Sequence, residues 1–456
     1  MTTSKSKEFA IRDLDPVLAW KTFEPSKERP WNNRRAAHLF RRAGFGGTIS
    51  EIEASVSDGF EKSIEKLFAV DEQAIEKEML AAGRLVTGSA DSNQLAAWWL
   101  LRMIKTPAPF LEKATLFWHG HFATGATKVN DARAMFRQNQ LLRKHALGKF
   151  EPLVKEISSD VAMLIYLDSE ENRRTRPNEN YARELLELFC LGTGNYSEKD
   201  IKEIARCFTG WEIRKRKFNF NDHQHDKKNK SFLGATGNFD GNAAIEIILK
   251  QPAAPRFIAR KLIRFFVFDE VPISDELVDP VANKLRETNF DLRETMKLIL
   301  SSNLFYSDVA IGKKIKSPVE LAVGFLRFFD ASTNINALAP RLATLGQLPL
   351  YPPNVKGWTG GRTWINASTI LARGNLVTEI LNNDKTKFRS GSLDNWVKAN
   401  SKHKIADSIE WIEEFLLATK LSDETRESLK NVLAKTKGDP AKSLASLAAL
   451  PEFQLN

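Results

Sequence analysis

The groups best suited to chemistry in this chain are two glutamates on one helix and two short histidine segments. The glutamates are Glu184 and Glu187. The segments read His119-Gly120-His121 and His223-Gln224-His225-Asp226. Neutral imidazoles and carboxylates together suit Zn, Fe, Mn or Mg, and His119, His121, Glu184, Glu187, His225 and Asp226 supply enough ligands for one or two ions. An ion held there would polarise a substrate oxygen or lower the pKa of a bound water, with a spare carboxylate as general base. The same groups can also work without a metal, as acid and base, with Arg183 and Lys230 clamping a phosphate, sulfate or carboxylate. Against a metal, no segment has the HExxH or ExxH spacing of helical metal sites. The plain alternative is that Glu184 and Glu187 are solvated charges, paired with Arg183 or a lysine.

The element that must position the glutamates runs from Arg176 to Gly194, RPNENYARELLELFCLGTG. Pro177 fits a first turn, Glu179 to Cys190 are good helix formers, and Gly192 and Gly194 supply the stop, which predicts a helix of about three turns. At 100° per residue, Asn180, Glu184 and Glu187 share a narrow wedge with Arg183 at its edge, while apolar residues fill nearly all the rest. So thin a polar stripe implies a helix packed on most sides with its carboxylates in a cleft. Histidines two apart share a side only in extended backbone, and Gly120 favours that conformation for the first segment. A working site then requires both histidine segments to converge on Glu184 and Glu187.

Helical periodicity recurs from Asn33 to Leu450, so the fold expected is all-α, with a short hairpin or extended loop near 218–232. Residues 1–32 read as an arm, 33–381 as the main helical domain, 382–404 as a polar linker and 405–456 as C-terminal helices packed on the main domain. Asn33 is placed to cap a helix closed by Gly44, and His38 on it is read as a hydrogen-bonded structural histidine. Ser197 to Asp200 reads as a capping box. The helix Pro255 to Phe268 carries Arg256, Arg260, Lys261 and Arg264. Leu350 to Asn366, rich in Pro, Gly and Trp, is expected to be an ordered plug that partly buries Trp358 and Trp364.

A net charge of +10 favours anionic partners. Nucleic acid is the weaker of these, through Arg214–Lys217 followed by Phe218 and Phe220. Cys190 and Cys207 fit buried thiols, with no disulfide framework or CxxC. The N-terminus shows no apolar signal region and no run long enough to span a bilayer, so a cytoplasmic location is expected.

Read together, HLFRRAGFG, LFWHGHF, RPNENYARELLELFCLG, the HD…K…LG loop, FIARKLIRFF, KSPVE, PPNVKGW with WIN, and PEFQ resemble a bacterial family known as the domain of unknown function eighteen hundred family. The resemblance spans nearly the whole chain. It implies that His119, His121, Asn180, Arg183, Glu184, Glu187, His225, Asp226 and Lys230 stand where the family has the same residue types. Gly120 departs from the asparagine usual there, and the export signal of many relatives is absent. The resemblance also implies, by analogy, a sulfatase- or phosphatase-like protein partner. The function expected is a metal-dependent enzyme of hydrolase or oxidoreductase type acting on an anionic or polar substrate. The alternative is a non-catalytic scaffold or binding protein for an acidic partner, with the polar cluster as a structural network.

Overall fold

The computed structural model describes residues 15–69, 73–88, 91–269, 272–400 and 408–456. Helices dominate it, and the described strands form only two-stranded antiparallel sheets. The first 14 residues of the expected arm, and residues 401–407 of the expected linker, lie outside the described residues. Among the described residues no helix is long and apolar enough to cross a membrane.

The helices start and stop where local chemistry dictates. Ser197 and Asp200 form a reciprocal capping box, satisfying two backbone donors at the start of Glu198–Cys207. Asn32 and not Asn33 caps the helix Asn33–Ala43, because its extended backbone lets its side chain accept from the Arg35 N–H at 3.2 Å. Two hairpins occupy the expected strand region. Trp211–Arg214 pairs with Lys217–Phe220, beginning before the expected 218, and Lys230–Phe232 pairs with Ala235–Gly237. Within the stretch read as a linker, Lys387–Phe388 pairs with Ala331–Ser332 and the helix Leu393–Asn400 buries Trp396 against Phe329.

The buried side chains form two apolar clusters. One gathers the central helix, Pro109–His121 and Ala253–Phe266. The other gathers Ser92–Lys105, Pro318–Phe328, Ala367–Asn382 and the C-terminal helices. Pro109–His121 contributes to both, through Phe117 and Trp118 on one side and Leu116 on the other, so its C-terminal end is fixed from two directions.

That helix corrects the expected extended HGH segment. Backbone helix continues through His119 and Gly120 to His121, and the Phe122 N–H still bonds the Trp118 carbonyl at 2.8 Å. Burying Trp118, His119, His121 and Phe122 together outweighs the roughly 1 kcal/mol that a glycine costs inside a helix. On a helix, residues two apart diverge, so the two imidazoles point to different partners.

The Pro/Gly/Trp segment is ordered as expected. Trp364 is buried, Trp358 is half-buried, and Trp358 packs on the His119 ring with centroids 5.6 Å apart. The segment is seated on the HGH turn by two glycines. Gly357, at φ +73°, approaches so closely that a Cβ on it would lie 2.2 Å from the Gly120 carbonyl oxygen.

Candidate active site

The thin polar wedge on the central helix is present. Tyr181, Ala182, Leu185, Leu186, Phe189 and Cys190 are buried, while Arg183, Glu184 and Glu187 are half-buried. Residues 179–184 are α-helical and 185–190 widen into a π-helical turn, a form that often marks functional sites. Asn180 donates to the Leu167 carbonyl at 3.2 Å, and Arg183 makes a two-pronged pair with Glu198 at 2.7 and 2.9 Å. Glu187 accepts from the Tyr196 hydroxyl at 3.4 Å. Burial, then the neighbouring Glu187, raises the Glu184 carboxyl above its ordinary range, while Lys356 pulls the other way.

The imidazoles are engaged elsewhere. His119 Nε2 accepts the Leu350 N–H at 3.0 Å, so its lone pair is occupied, and burial drives its pKa down to about 3. His121 Nε2 lies 3.0 Å from the Phe189 carbonyl. His225 Nδ1 lies 2.8 Å from the Thr209 carbonyl, while Asp226 takes Arg206 Nε at 2.8 Å. Lys230 is buried and donates to the Asp226 carbonyl and, at 3.1 Å, to Asn238 Oδ1. Asp226 thus ties its loop to the helix Glu198–Cys207 through Arg206, His225 ties it to Thr209 just past that helix, and Lys230 braces the loop across to Asn238. Among the described residues no three His, Cys, Asp or Glu side chains come together in a way that could hold a metal ion.

What the fold does bring together is a cleft of about 490 Å³. Its walls come from four segments far apart in the chain. The HGH helix gives Phe117 and His121; the basic helix Ala253–Phe266 gives Phe257, Lys261, Arg264 and Phe265. Lys314 to Glu320 closes one end, and the plug adds Lys356, Trp358 and Trp364. The central helix supports this cleft from behind. Its last carbonyls have no helical partner, and Phe189 O takes His121. Gly192, at φ +79°, ends the helix where a Cβ would press to 3.0 Å on the Phe257 ring, a wall of the cleft.

The charges in the cleft are unevenly committed. Arg260 is bound to Asp275 and to the Ile273 carbonyl, Lys314 lies 3.4 Å from Asp269, and Glu320 is paired with Lys113. Lys261, Arg264 and Lys356 form no ion pair with a described residue. Burial, then the nearby Arg264, lowers the Lys261 pKa, as expected of cations crowded together without a counter-charge. Sequence reading saw Lys261 and Arg264 as a basic helix face and Trp358 as a packed ring. It did not place them together, and it missed Lys356 and Asp269.

The hairpin tip Arg214–Lys217, read as a contact for nucleic acid, is exposed, with Phe218 and Phe220 exposed beside it. Lys215 and Arg216 occupy the left-handed turn at φ 51° and 60°.

A family model described as "Protein of unknown function (DUF1800)" matches residues 38–455, nearly the whole chain, and the chain belongs to this family. No curated protein and no solved structure matches it.

Proposed function

We propose that this member of the DUF1800 family binds an anionic small molecule in the cleft between the HGH helix, the basic helix and the Trp358 plug. One observation carries the reading: Lys261, Arg264 and Lys356, without ion-pair partners among the described residues, line one cleft whose walls are aromatic. A cleft of this size fits a small organic ligand, and convergent cations in an apolar frame fix its charged group. Lys261, Arg264 and Lys356 take the roles first assigned to Arg183 and Lys230, whose side chains are engaged with Glu198 and with Asp226 and Asn238.

Titrating the intact protein with phosphate and sulfate at low ionic strength is expected to give saturable binding. Lys261→Gln with Arg264→Gln should weaken it about a hundredfold or more, since each of the two charge-assisted hydrogen bonds is worth roughly 1.5–3 kcal/mol. Neutralising Arg214, Lys215, Arg216 and Lys217 together should leave it unchanged. Binding that follows the hairpin variant and ignores the cleft variant contradicts the proposal.

Glu184→Gln separates this reading from one in which Glu184 is a ligand or a base. Glu184 attracts Lys356, so removing its charge frees that cation. Anion affinity should rise roughly two- to threefold, the scale of a partly exposed charge pair. A fall in affinity would instead place the carboxylate in contact with the bound molecule.

A further inference from the structure

Two side chains that line the cleft each hold a buried acceptor with no donor among the described residues. His121 is 5% exposed, and its Nε2 faces the Phe189 carbonyl at 3.0 Å. A carbonyl only accepts, so Nε2 carries the hydrogen. Burial and the charge of Lys261 keep the ring neutral, which leaves Nδ1 a bare lone pair. That Nδ1 is buried and has no hydrogen-bond partner among the described residues. Asp269 repeats the pattern: one carboxylate oxygen lies 3.4 Å from Lys314 Nζ, while the other, Oδ1, is buried without a hydrogen-bond partner among the described residues.

Unpaired buried acceptors are costly, and natural structures keep few of them. Here both side chains line the same cleft as Lys261, Arg264 and Lys356 and the rings of Phe257 and Trp358. A bare sulfate satisfies the cations and neither acceptor, and a hydrogen phosphate carries its one or two O–H donors on the same group that the cations hold. A ligand that satisfies everything carries an anionic group, at least two O–H or N–H donors and a face that packs on aromatic rings. Resting on the anion-site reading above, we infer that the cleft takes an acidic saccharide unit. Its hydroxyls would donate to His121 Nδ1 and Asp269 Oδ1, and its anionic group would sit on Lys261, Arg264 and Lys356. Sugar phosphates, sugar sulfates and uronic acids share this chemistry.

Calorimetric titration of the intact protein with glucose 6-phosphate, glucose 6-sulfate and glucuronate, against phosphate, sulfate and acetate as matched bare anions, tests the inference. At least one sugar anion is expected to bind tenfold or more tightly than its bare counterpart, and the tightest identifies the anionic group. His121→Gln keeps a nitrogen donor for the Phe189 carbonyl and loses the Nδ1 acceptor. It should cut the sugar-anion affinity about five- to tenfold and leave the affinity for the bare anion unchanged. Equal affinity of sugar anion and bare anion for the unaltered protein overturns the saccharide assignment alone, and so does an equal loss of both in the variant. Failure of every anion to bind overturns the anion-site reading with it. The comparison on the unaltered protein decides the matter even where the variant does not fold.

Discussion

Gly357→Ala should cost about 2–4 kcal/mol of stability and open the cleft, from a single added methyl group. The left-handed backbone at φ +73° costs a non-glycine residue roughly 1–2 kcal/mol. The new Cβ would meet the Gly120 carbonyl oxygen at 2.2 Å and its carbon at 3.1 Å, both backbone atoms that no rotamer change can move aside. The plug therefore has to lift off the HGH helix, carrying Lys356 and Trp358 away from Lys261. Gly120→Ala, on the other side of the same contact, should behave in the opposite way. Its Cβ meets only the Trp358 ring at 3.9 Å, and alanine is the better helix former, so a gain of roughly 0.5–1 kcal/mol is expected. Chemical denaturation of the pair checks both signs.

The second large effect lies one helical face away. Glu112, on the helix that carries His119 and His121, is fully buried. One of its oxygens takes Arg102 Nε at 2.6 Å and Arg143 Nε at 2.5 Å; the other takes Trp99 Nε1 at 2.8 Å and Arg143 Nη2 at 2.9 Å. Glu112→Gln keeps the volume but leaves the buried Arg143 without its carboxylate while Arg102 keeps Glu76 at 2.5 Å, which is expected to cost about 3–5 kcal/mol. Burial alone would push the Glu112 carboxyl up, but Arg143 and Arg102 overcome this and hold it near 2, below its ordinary 4.5. A depressed carboxylate stabilises the fold fully above its unfolded pKa and loses that contribution as it is protonated. The unaltered protein should therefore lose stability as the pH falls from about 4.5 toward 2, and the Gln variant should lack this part of the slope. Denaturation midpoints for both proteins across that window measure it.

What the sequence made legible follows from what periodicity encodes. The thin wedge of Asn180, Glu184 and Glu187, with Arg183 at its edge, is a property of one helix, and 100° per residue suffices to see it. The ordered plug was legible for a similar local reason, since two tryptophans between prolines and glycines have too much apolar surface to leave in water. The convergence expected of the imidazoles rested on Gly120 breaking a helix. Tertiary burial of Trp118 and Phe122 carried the helix past it and sent His119 and His121 in different directions. The hydrogen bonds that occupy His119 and fix the tautomer of His121 come from Leu350 and Phe189, distant backbone groups on which the spacing of histidines carries no information. The cleft was illegible for the same reason. Lys261, Lys356 and His121 are recognisable one at a time as a helix face, a loop residue and an aromatic neighbour. Only packing across long stretches of chain places them around one space.

The anion-binding cleft is tested most directly by locating a heavy anion on the protein itself. Crystals soaked in selenate or tungstate, both tetrahedral oxyanions, are expected to show an anomalous peak within hydrogen-bond reach of Lys261, Arg264 and Lys356, and none there in the Lys261→Gln, Arg264→Gln variant. Peaks confined to the exposed basic hairpin at Arg214–Lys217, with the cleft empty, would contradict it.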